Sequence, residues 1–484
     1  MFETGIRQLR MAIGMISGRR LDTRNIGRLV DDALATLAEF GEPGADAQQL
    51  LGGPLADPEE RLDFAKRGLR RTARRLSAQS PFYARRLAAA QVAPGELDVA
   101  GLHAIPVTTK RDLIERPGDF RCADVAGQLT TRTTGTTGRP AEIWLSSYEL
   151  ELWSALGALA SVIRDDLRAG DVMQVSQSSR AVAATYLATA SCRLAHAGCR
   201  LTGVVPPDDA LDSLLHADGR ATILSTYPSY LAELVTAARR RGLRPDDFAL
   251  RRVNVGGEVL SPSLARAAAQ VLGVPGIEDT FSMTEVIPVT GRTCSQAHLH
   301  HDVNTGLTEL LDLETGEPAA PGALGTLVIT PYFPYRDCMP VFRYDTRDVA
   351  RGLPEPLGCE LAGIPATSQV LGKAGDLLQP GPGRVITPRQ LVDAIESLPT
   401  EPWPARYRAA VADGALRLTL PAGAIAGYGE AAARRHLADH GLDADLVIVG
   451  DDQAPSLRHT RSDLRETTFA GAQAFTGAGH VERP

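Results

Sequence analysis

The chain has 484 residues, more than one ordinary hydrophobic core encloses, so we expect two domains. Its net charge of −7 argues against nucleic acid or an anionic membrane as a partner, and no apolar run is long enough for a transmembrane helix. Six scattered cysteines do not indicate a disulfide scaffold, so we expect a cytoplasmic protein.

The first 58 residues predict a helical extension. Its N-terminal segment is amphipathic and rich in arginine, but it lacks the unbroken apolar run of a targeting peptide. A linker rich in Gly, Pro and Asp follows, GEPGADAQQLLGGPLADP. Residues 59–79 then predict a long basic helix that ends at Ser80-Pro81.

Short apolar strands alternate with amphipathic helices from 172 to 330. The strands are predicted at 172–177, 222–227, 251–257 and 326–330, and the helices at 229–241 and 263–273. This alternation predicts an α/β domain with largely parallel strands, in which ligands bind at the loops beyond the carboxyl ends of the strands. We therefore expect a large domain over residues 59–376.

A composition change at 377–388, a segment rich in Pro and Gly, predicts a hinge. Beyond it, strand-like segments at 415–420 and 444–450 flank a helical segment at 430–441. The pattern predicts a small α+β domain over 377–470, and we expect the tail at 471–484 to be disordered.

The segment 130–140, TTRTTGTTGRP, predicts a phosphate-binding loop. Its glycines let backbone N–H groups approach a ligand closely, and its hydroxyls add donors. It is not the P-loop of nucleotide triphosphatases, which requires Gly-Lys-Ser/Thr after four intervening residues. The alternative is a surface loop. The candidate ligands of the phosphates are Thr133, Thr134, Gly135, Thr136, Thr137 and Gly138.

Further motifs follow one another in the order of the phenylacetate–CoA ligase family of adenylate-forming enzymes, which the chain resembles over roughly residues 75–390. They are SPFY (80–83), IPVTTKRDL (105–113), Gly256-Gly257-Glu258, DTFSMTE (279–285), FRYDTRD (342–348) and LGKAGD (371–376). The resemblance implies a large N-terminal adenylate-forming domain and a small mobile C-terminal domain. Ser282 stands where the family usually has glycine.

The resemblance also implies ATP and Mg²⁺ as cofactors. Glu285 would hold Mg²⁺, whose charge offsets that of the triphosphate, and Thr284 would hydrogen-bond the α-phosphate. Asp348 would accept both ribose hydroxyls, because a carboxylate has two acceptor oxygens. Phe281 and the turn Gly256-Gly257-Glu258 would contact the adenine. LGKAGD stands where the family has its hinge motif, and its Lys373 is a further catalytic candidate. A surface ion pair for Asp348 and a helix cap for Glu285 are the alternatives.

No motif marks the pocket for the acid substrate. The carboxyl ends of the predicted strands and the loops that begin there supply the candidates Ser176, Tyr227 and Ser282.

A second cluster, CSQAHLHH at 294–301, could ligate Zn²⁺, with Cys359 or Cys338 completing a tetrahedral set. The resemblance implies such a structural zinc site in some family members. Its candidate ligands here are Cys294, His300 and Cys359, and one ligand is missing because Cys359 stands alone where a Cys-x-Cys pair is expected. Loop histidines near the substrate pocket are the alternative.

Lysine is rare in this chain, and none follows Lys373. The resemblance implies a lysine on the small domain that bridges the acid and the α-phosphate. Arg461, or its neighbours Arg458 and Arg465, is the candidate replacement, although a planar guanidinium is not equivalent to a compact ammonium.

The altered small domain beside intact nucleotide motifs leads to alternative functions. Our leading hypothesis is an ATP-dependent diazotase of secondary metabolism, which activates nitrite and passes it to an aromatic amine, releasing AMP and pyrophosphate. The alternatives are an aryl acid–CoA ligase, an acyl-protein synthetase and an inactive nucleotide-binding partner protein. The expected partners are a small acid and a nucleophile (an aromatic amine or CoA), with a homodimer as a further expectation and neither nucleic acid nor membrane.

Overall fold

The computed structural model describes residues 2–41, 57–133, 140–178, 181–216, 218–354 and 356–453. Its α-helices are α1 (Phe2–Ser17), α2 (Thr23–Phe40), α3 (Pro58–Gln79), α4 (Pro81–Ala89), α5 (Lys110–Glu115), α6 (Ser147–Ile163), α7 (Val182–Leu194), α8 (Pro207–Leu215), α9 (Pro228–Arg240), α10 (Pro262–Leu272), α11 (Pro388–Glu396) and α12 (Glu430–Asp439). Within these residues, no helix combines the length and apolarity needed to cross a membrane.

The strands of the described residues belong to five sheets. In chain order they are β1 (Leu129–Arg132), β2 (Glu142–Leu145), β3 (Val172–Val175), β4 (Gly198–Leu201), β5 (Ile223–Thr226), β6 (Arg252–Gly256), β7 (Ile277–Ser282), β8 (Thr290–Thr293), β9 (His298–His301), β10 (Gly306–Asp312), β11 (Leu324–Pro331), β12 (Tyr344–Arg351), β13 (Ala366–Ser368), β14 (Gly372–Lys373), β15 (Leu378–Gly381), β16 (Arg384–Ile386), β17 (Arg408–Ala412), β18 (Ala415–Pro421) and β19 (Ala444–Val449).

The largest sheet has eight strands in the order β13-β9-β8-β7-β6-β5-β3-β4. The five strands from β4 to β7 are parallel, because helices α7 to α10 connect them as crossovers. From β7 to β13 the pairing is antiparallel. The predicted α/β class is confirmed, and the carboxyl ends of β3, β5, β6 and β7 share one edge of the sheet.

A four-stranded antiparallel sheet, β10-β11-β12-β14, lies beside it in the fold. We predicted the segment 326–330 as part of the alternating α/β pattern, but it lies in β11 of this second sheet. Its neighbours in the chain are joined to it without a crossover helix, and such connections favour antiparallel pairing.

The main hydrophobic core includes the first two helices. Ile26 and Val30 of α2 are buried in the same cluster as Trp153 of α6. Asp22 caps α2 by accepting from the backbone N–H groups of Arg24 and Asn25. Helix α3 ends at Gln79, as the Ser80-Pro81 sequence predicts.

Residues after the hinge build a separate core, whose buried members lie between 378 and 446. Trp403 departs from this pattern, since it is buried in a core cluster formed mainly by α8, α9 and α10. The Arg239 guanidinium lies 5.1 Å from the centre of its ring. At the same junction, Ser261 Oγ donates a hydrogen bond to the buried Glu396. The proposed domain boundaries stay a prediction.

Candidate active site

The Gly256-Gly257-Glu258 turn leaves the carboxyl end of β6. A Cβ on Gly256 would lie 2.6 Å from the backbone oxygen of Thr280 in the neighbouring strand, so this position requires glycine. Gly257 has a φ of +82°, in the left-handed region that favours glycine. Glycine is therefore required at both positions, because the chain turns sharply where it leaves β6 and passes close to Thr280 of β7.

Glu258 ties this turn to helix α9. Its Oε2 accepts a hydrogen bond of 3.0 Å from the backbone N–H of Ser229, in the first turn of the helix. A carboxylate is favourable there because the helix dipole is positive at that end. The ring of Tyr227 lies against the same turn, 3.7 Å from the position of a Cβ on Gly257. Burial raises the pKa of Tyr227.

Glu285 lies in a turn after β7 with its side chain almost fully buried. The hydroxyl of Tyr344, the first residue of β12, donates to Glu285 Oε1 over 3.4 Å. Burial, together with the charge of Glu285, raises the pKa of Tyr344 well above its usual value. The phenol is therefore a neutral donor at physiological pH. Sequence reasoning included Tyr344 in a motif but gave it no role.

Asp348 and Lys373 form an ion pair between paired strands. Lys373 Nζ lies 2.8 Å from Asp348 Oδ2, and the two side chains are 14% and 10% exposed. The residues are direct partners in the antiparallel pair β12–β14. Lys373 Nζ also donates to the backbone oxygen of Thr346 over 2.9 Å. Asp348, the candidate ribose ligand, and Lys373 therefore hold each other in position.

An irregularity in β12 positions Asp348. The pairing with β11 shifts register between Thr326 and Val328, and Arg347 has a φ of +60°. Asp345 stabilises the irregular segment, because its Oδ1 accepts from Thr326 Oγ1 at 2.6 Å and from the backbone N–H of Arg347 at 2.9 Å. A bulge of this kind turns side chains away from the regular strand alternation.

The two N-terminal motifs support this strand. Tyr83 of SPFY accepts from the backbone N–H of Phe342 at 2.8 Å, and its hydroxyl lies 3.1 Å from Thr108 Oγ1. The backbone of Thr108 pairs with Arg343 and Asp345. These contacts hold the start of β12 in place, so both motifs have a structural role next to Tyr344.

Thr133 begins the Thr/Gly-rich loop, which joins the two strands of the β1–β2 hairpin. Thr133 and Ala141 close this loop, because the backbone N–H of Thr133 donates to the oxygen of Ala141 and that of Ala141 donates to Thr133 Oγ1. The remaining phosphate candidates, Thr134, Gly135, Thr136, Thr137 and Gly138, lie outside the described residues.

The other candidates differ in exposure. Ser176 is fully buried, and its Oγ lies 2.9 Å from Thr202 Oγ1. Its hydroxyl therefore bonds to Thr202 in the protein interior. Ser282 is exposed at the end of β7, whereas Phe281 and Thr284 are partly buried. Arg458, Arg461 and Arg465 lie outside the part of the chain that the structure describes.

Four potential metal ligands, two cysteines and two histidines, lie close together in the fold. One ligand atom each from Cys294, His298, His300 and Cys359 lies within 4.8 Å of all the others. His298 and His300 are alternate residues of β9 and share a face, while Cys359 comes from the segment before β13. We predicted a missing ligand, and this is corrected, because His298 supplies the fourth donor.

These donors fit Zn²⁺. Cys359 Sγ lies 3.3 Å from His300 Nε2, and the Nδ1 of that ring is 2.8 Å from the backbone oxygen of Ile364, which favours the tautomer with Nε2 free to bind metal. His298 Nδ1 is buried without a hydrogen-bond partner among the described residues. Burial lowers the pKa of His300, which keeps the ring neutral. Two thiols and two imidazoles are a common tetrahedral zinc set.

The chain is similar to AMP-binding enzymes and to coenzyme A ligases. The AMP-binding enzyme family matches residues 132–332. A phenylacetate-coenzyme A ligase from Thermus thermophilus is 27% identical over 334 residues, covering 66% of this chain and 72% of the relative. One from Pseudomonas putida is 27% identical over 284 residues, covering 57% and 62%. A solved 2-hydroxyisobutyryl-CoA ligase in the postadenylation state shares the fold, with a TM-score of 0.69, 20% identity, and coverage of 87% of this chain and 93% of that one.

Proposed function

We propose a specific reaction on the premise that this chain is a phenylacetate–CoA ligase-like adenylate-forming enzyme, an ATP-dependent ligase that makes AMP and pyrophosphate. In the proposed reaction a small acid attacks the α-phosphate of ATP, pyrophosphate leaves, and a nucleophile then displaces AMP from the acid. The observation that supports it best is the pairing of Asp348 with Lys373 on the strand that also positions Tyr344 against Glu285.

Glu285 is the proposed ligand of Mg²⁺. When bound, the ion supplies positive charge that offsets the triphosphate. The Tyr344 hydroxyl donates to one oxygen of the carboxylate, so the phenol restricts how the Glu285 side chain can rotate. Thr284, the preceding residue, is the proposed donor to the α-phosphate.

Asp348 is the proposed acceptor of the ribose hydroxyls, and Lys373 is the residue that positions it. The Lys373 ammonium, 2.8 Å from Asp348 Oδ2, holds one oxygen of this nearly buried carboxylate in place. The second oxygen then remains to accept from a hydroxyl. Gly256, Gly257 and Phe281 are the proposed adenine contacts at the neighbouring strand ends.

For the nucleophile, CoA is our first candidate. The similar curated proteins are phenylacetate-coenzyme A ligases, so an aryl carboxylate and CoA would give a thioester and AMP. An aromatic amine acting on activated nitrite, the diazotase reaction, is the second candidate. The observation that favours it is the lack of any lysine after Lys373, since nitrite offers little for a bridging cation to orient.

We also propose a structural zinc ion held by Cys294, His298, His300 and Cys359. It would fasten β9 to the segment that precedes β13, and the two strands are already paired. A closed set of four protein ligands leaves no open position for substrate, so the ion would stabilise the fold and would not take part in the chemistry.

A panel of acids tests the proposed reaction. Purified protein, ATP and Mg²⁺ are incubated with aryl carboxylates or nitrite, with CoA or an arylamine added, and AMP and pyrophosphate are quantified. We expect AMP and pyrophosphate in equal amounts, and a thioester when an aryl carboxylate and CoA are both present. A diazo product from nitrite and an arylamine would select the second candidate. Release of ADP and phosphate would contradict adenylation itself.

A further inference from the structure

Two free thiols meet at the edge of the large sheet. All six cysteines lie in the described residues, and each is a free thiol. Cys294 and Cys359 belong to the proposed zinc cluster. Cys192, in the last turn of α7, and Cys199, on the edge strand β4, form a separate pair that the proposed reaction does not use.

A tight helix end brings Cys192 and Cys199 together. The backbone N–H of Ala197 donates to the oxygen of Cys192 over 2.8 Å, and that of His196 donates to the oxygen of Arg193 over 3.4 Å. His196 has a φ of +56°. These features define the Schellman motif, in which one left-handed residue ends a helix and redirects the chain. The chain therefore enters β4 alongside the helix that it has just left.

Helix α7 presents Thr189 and Cys192 to this strand. The two residues are three positions apart, so they lie on the same side of the helix. Thr189 Oγ1 lies 3.8 Å from Cys199 Sγ, and the Cys192 thiol donates a hydrogen bond to the same sulfur. This hydrogen bond stabilises the thiolate and lowers the pKa of Cys199. Donating it, together with burial, raises the pKa of Cys192.

The two members of the pair differ in exposure. Cys192 is fully buried, whereas Cys199 is partly exposed. Thr189, which borders the Cys199 sulfur, is exposed as well. A small reagent in solution therefore reaches Cys199 first, and the thiolate that it meets is the reactive form of cysteine.

Cys122 and Cys338 form a second pair with the opposite character. The backbone N–H of Cys122 donates to the oxygen of Cys338 over 2.8 Å, and both side chains are buried. Burial raises the pKa of each thiol to about 12. A thiol that stays protonated is a poor nucleophile. The chain therefore contains an unreactive pair with which Cys192 and Cys199 can be compared.

We propose that Cys199 is a site of oxidation by hydrogen peroxide and that Cys192 captures the oxidised sulfur as a reversible disulfide. The Cys199 thiolate attacks a peroxide oxygen, the O–O bond breaks, and hydroxide leaves, so that Cys199 becomes a sulfenic acid. The Cys192 sulfur then attacks the Cys199 sulfur and the S–O bond breaks. The departing hydroxide takes the Cys192 proton to form water, and the two electrons lost by the thiols have reduced the peroxide.

Capture by Cys192 would protect Cys199 from further oxidation to sulfinic acid, which a thiol does not reverse. The disulfide would also join the end of α7 to β4. This site does not depend on which acid or nucleophile the enzyme uses.

Peptide mapping tests the disulfide. Trypsin cleaves after Arg180, Arg193 and Arg200, so Cys192 and Cys199 fall in separate peptides, 181–193 and 194–200. The full chain is treated with hydrogen peroxide, and its free thiols are blocked with iodoacetamide in denaturant before digestion. We expect the two peptides to be linked, and dithiothreitol to separate them. Recovery of both peptides unlinked, with their thiols reduced, would overturn the proposal.

A resolving-cysteine variant tests the two steps separately. In Cys192→Ala, peroxide should leave a sulfenic acid at Cys199 that dimedone labels, and excess peroxide should convert it to sulfinic acid. In the unaltered chain the dimedone label should be at least about tenfold weaker, because Cys192 competes for the sulfenic acid. Cys122→Ala, the equivalent change in the unreactive pair, should behave as the unaltered chain does. Equal labelling of the unaltered chain and Cys192→Ala would contradict capture.

Cys199→Ser identifies the sulfur that peroxide attacks, at a partly exposed position that tolerates a polar side chain. Cys192 should stay reduced in this variant. Oxidation of Cys192 in Cys199→Ser, or oxidation of Cys122 as fast as that of Cys199 in the unaltered chain, would show that Cys199 is not the reactive thiol.

Discussion

Lys373 Nζ lies 2.8 Å from Asp348 Oδ2, directly across the pair β12–β14. The two residues are 25 positions apart in the sequence, one in the FRYDTRD motif and the other in the hinge motif. Because Lys373 contacts the candidate ribose ligand, we expect a change at Lys373 to alter the proposed nucleotide site.

Lys373→Met should therefore weaken ATP binding. The change leaves a nearly buried carboxylate without its cation, and we expect KM for ATP to rise about 10–100-fold with a smaller effect on kcat. Lys373→Arg should recover part of the loss. Steady-state pyrophosphate release measures both constants, and Lys66→Met, at a distant lysine on α3, is the matched control. An unchanged KM in Lys373→Met would contradict the pairing as a functional unit.

Glu285→Gln should lower turnover by about one to three orders of magnitude through loss of metal charge. Tyr344→Phe removes only the donor to Glu285, so we expect a loss of about tenfold or less and a higher Mg²⁺ requirement. Titration of pyrophosphate release with Mg²⁺ separates the two effects. If Tyr344→Phe leaves the Mg²⁺ dependence unchanged, the phenol does not position Glu285.

Metal analysis of the purified protein should give about one zinc per chain, the stoichiometry of a single closed Cys₂His₂ site. His298→Ala should release the zinc and lower the melting temperature, because the fourth ligand is lost. Cys199→Ser, a thiol outside the cluster, should retain the zinc. A metal-free preparation whose melting temperature is unaffected by a chelator would show that the four side chains hold no ion.

Glu396 makes the free energy of unfolding decrease as pH rises. Burial raises the pKa of this carboxyl to about 7, with Asp393 and Glu258 adding repulsion. The folded state therefore holds a proton that the unfolded chain releases at lower pH, so this contribution is present below pH 4.5 and is lost as pH rises through 7. We expect Glu396→Gln, which keeps a neutral side chain in place, to raise stability at pH 8 by about 1–3 kcal/mol. Denaturant unfolding at pH 5 and pH 8 measures it; an equal effect at both values would contradict it.

Arg461→Ala distinguishes the two proposed reactions by their acid substrates. If an aryl carboxylate is the acid, a cation must bridge it to the α-phosphate, and AMP formation should fall at least about tenfold. If nitrite is the acid, the variant should retain most of its activity. Arg458→Ala and Arg465→Ala are compared in the same assay. Loss of AMP formation with nitrite in Arg461→Ala would argue against the diazotase.

The alternation of strands and helices was sufficient to predict the α/β fold, and the ordered motifs selected Glu285 and Asp348 through their resemblance to those of a known family. Pairings between distant segments were not predictable in this way. The contact of Asp348 with Lys373 depends on strand register, and His298 joins the zinc candidates only because β9 presents alternate residues to the segment that holds Cys359. Ser176 was selected by its position after a strand, but its orientation into the sheet depends on the neighbouring Thr202.

Trp403 belongs by sequence to the segment beyond the hinge, yet its indole is buried among α8, α9 and α10. A rotation of that segment relative to the large sheet would expose the indole ring of Trp403 to solvent. The intrinsic fluorescence of Trp403 would then shift to longer wavelength, so the chain carries its own optical reporter of domain movement. With Trp144→Phe and Trp153→Phe in place, stopped-flow emission after mixing with ATP would time such a rotation directly.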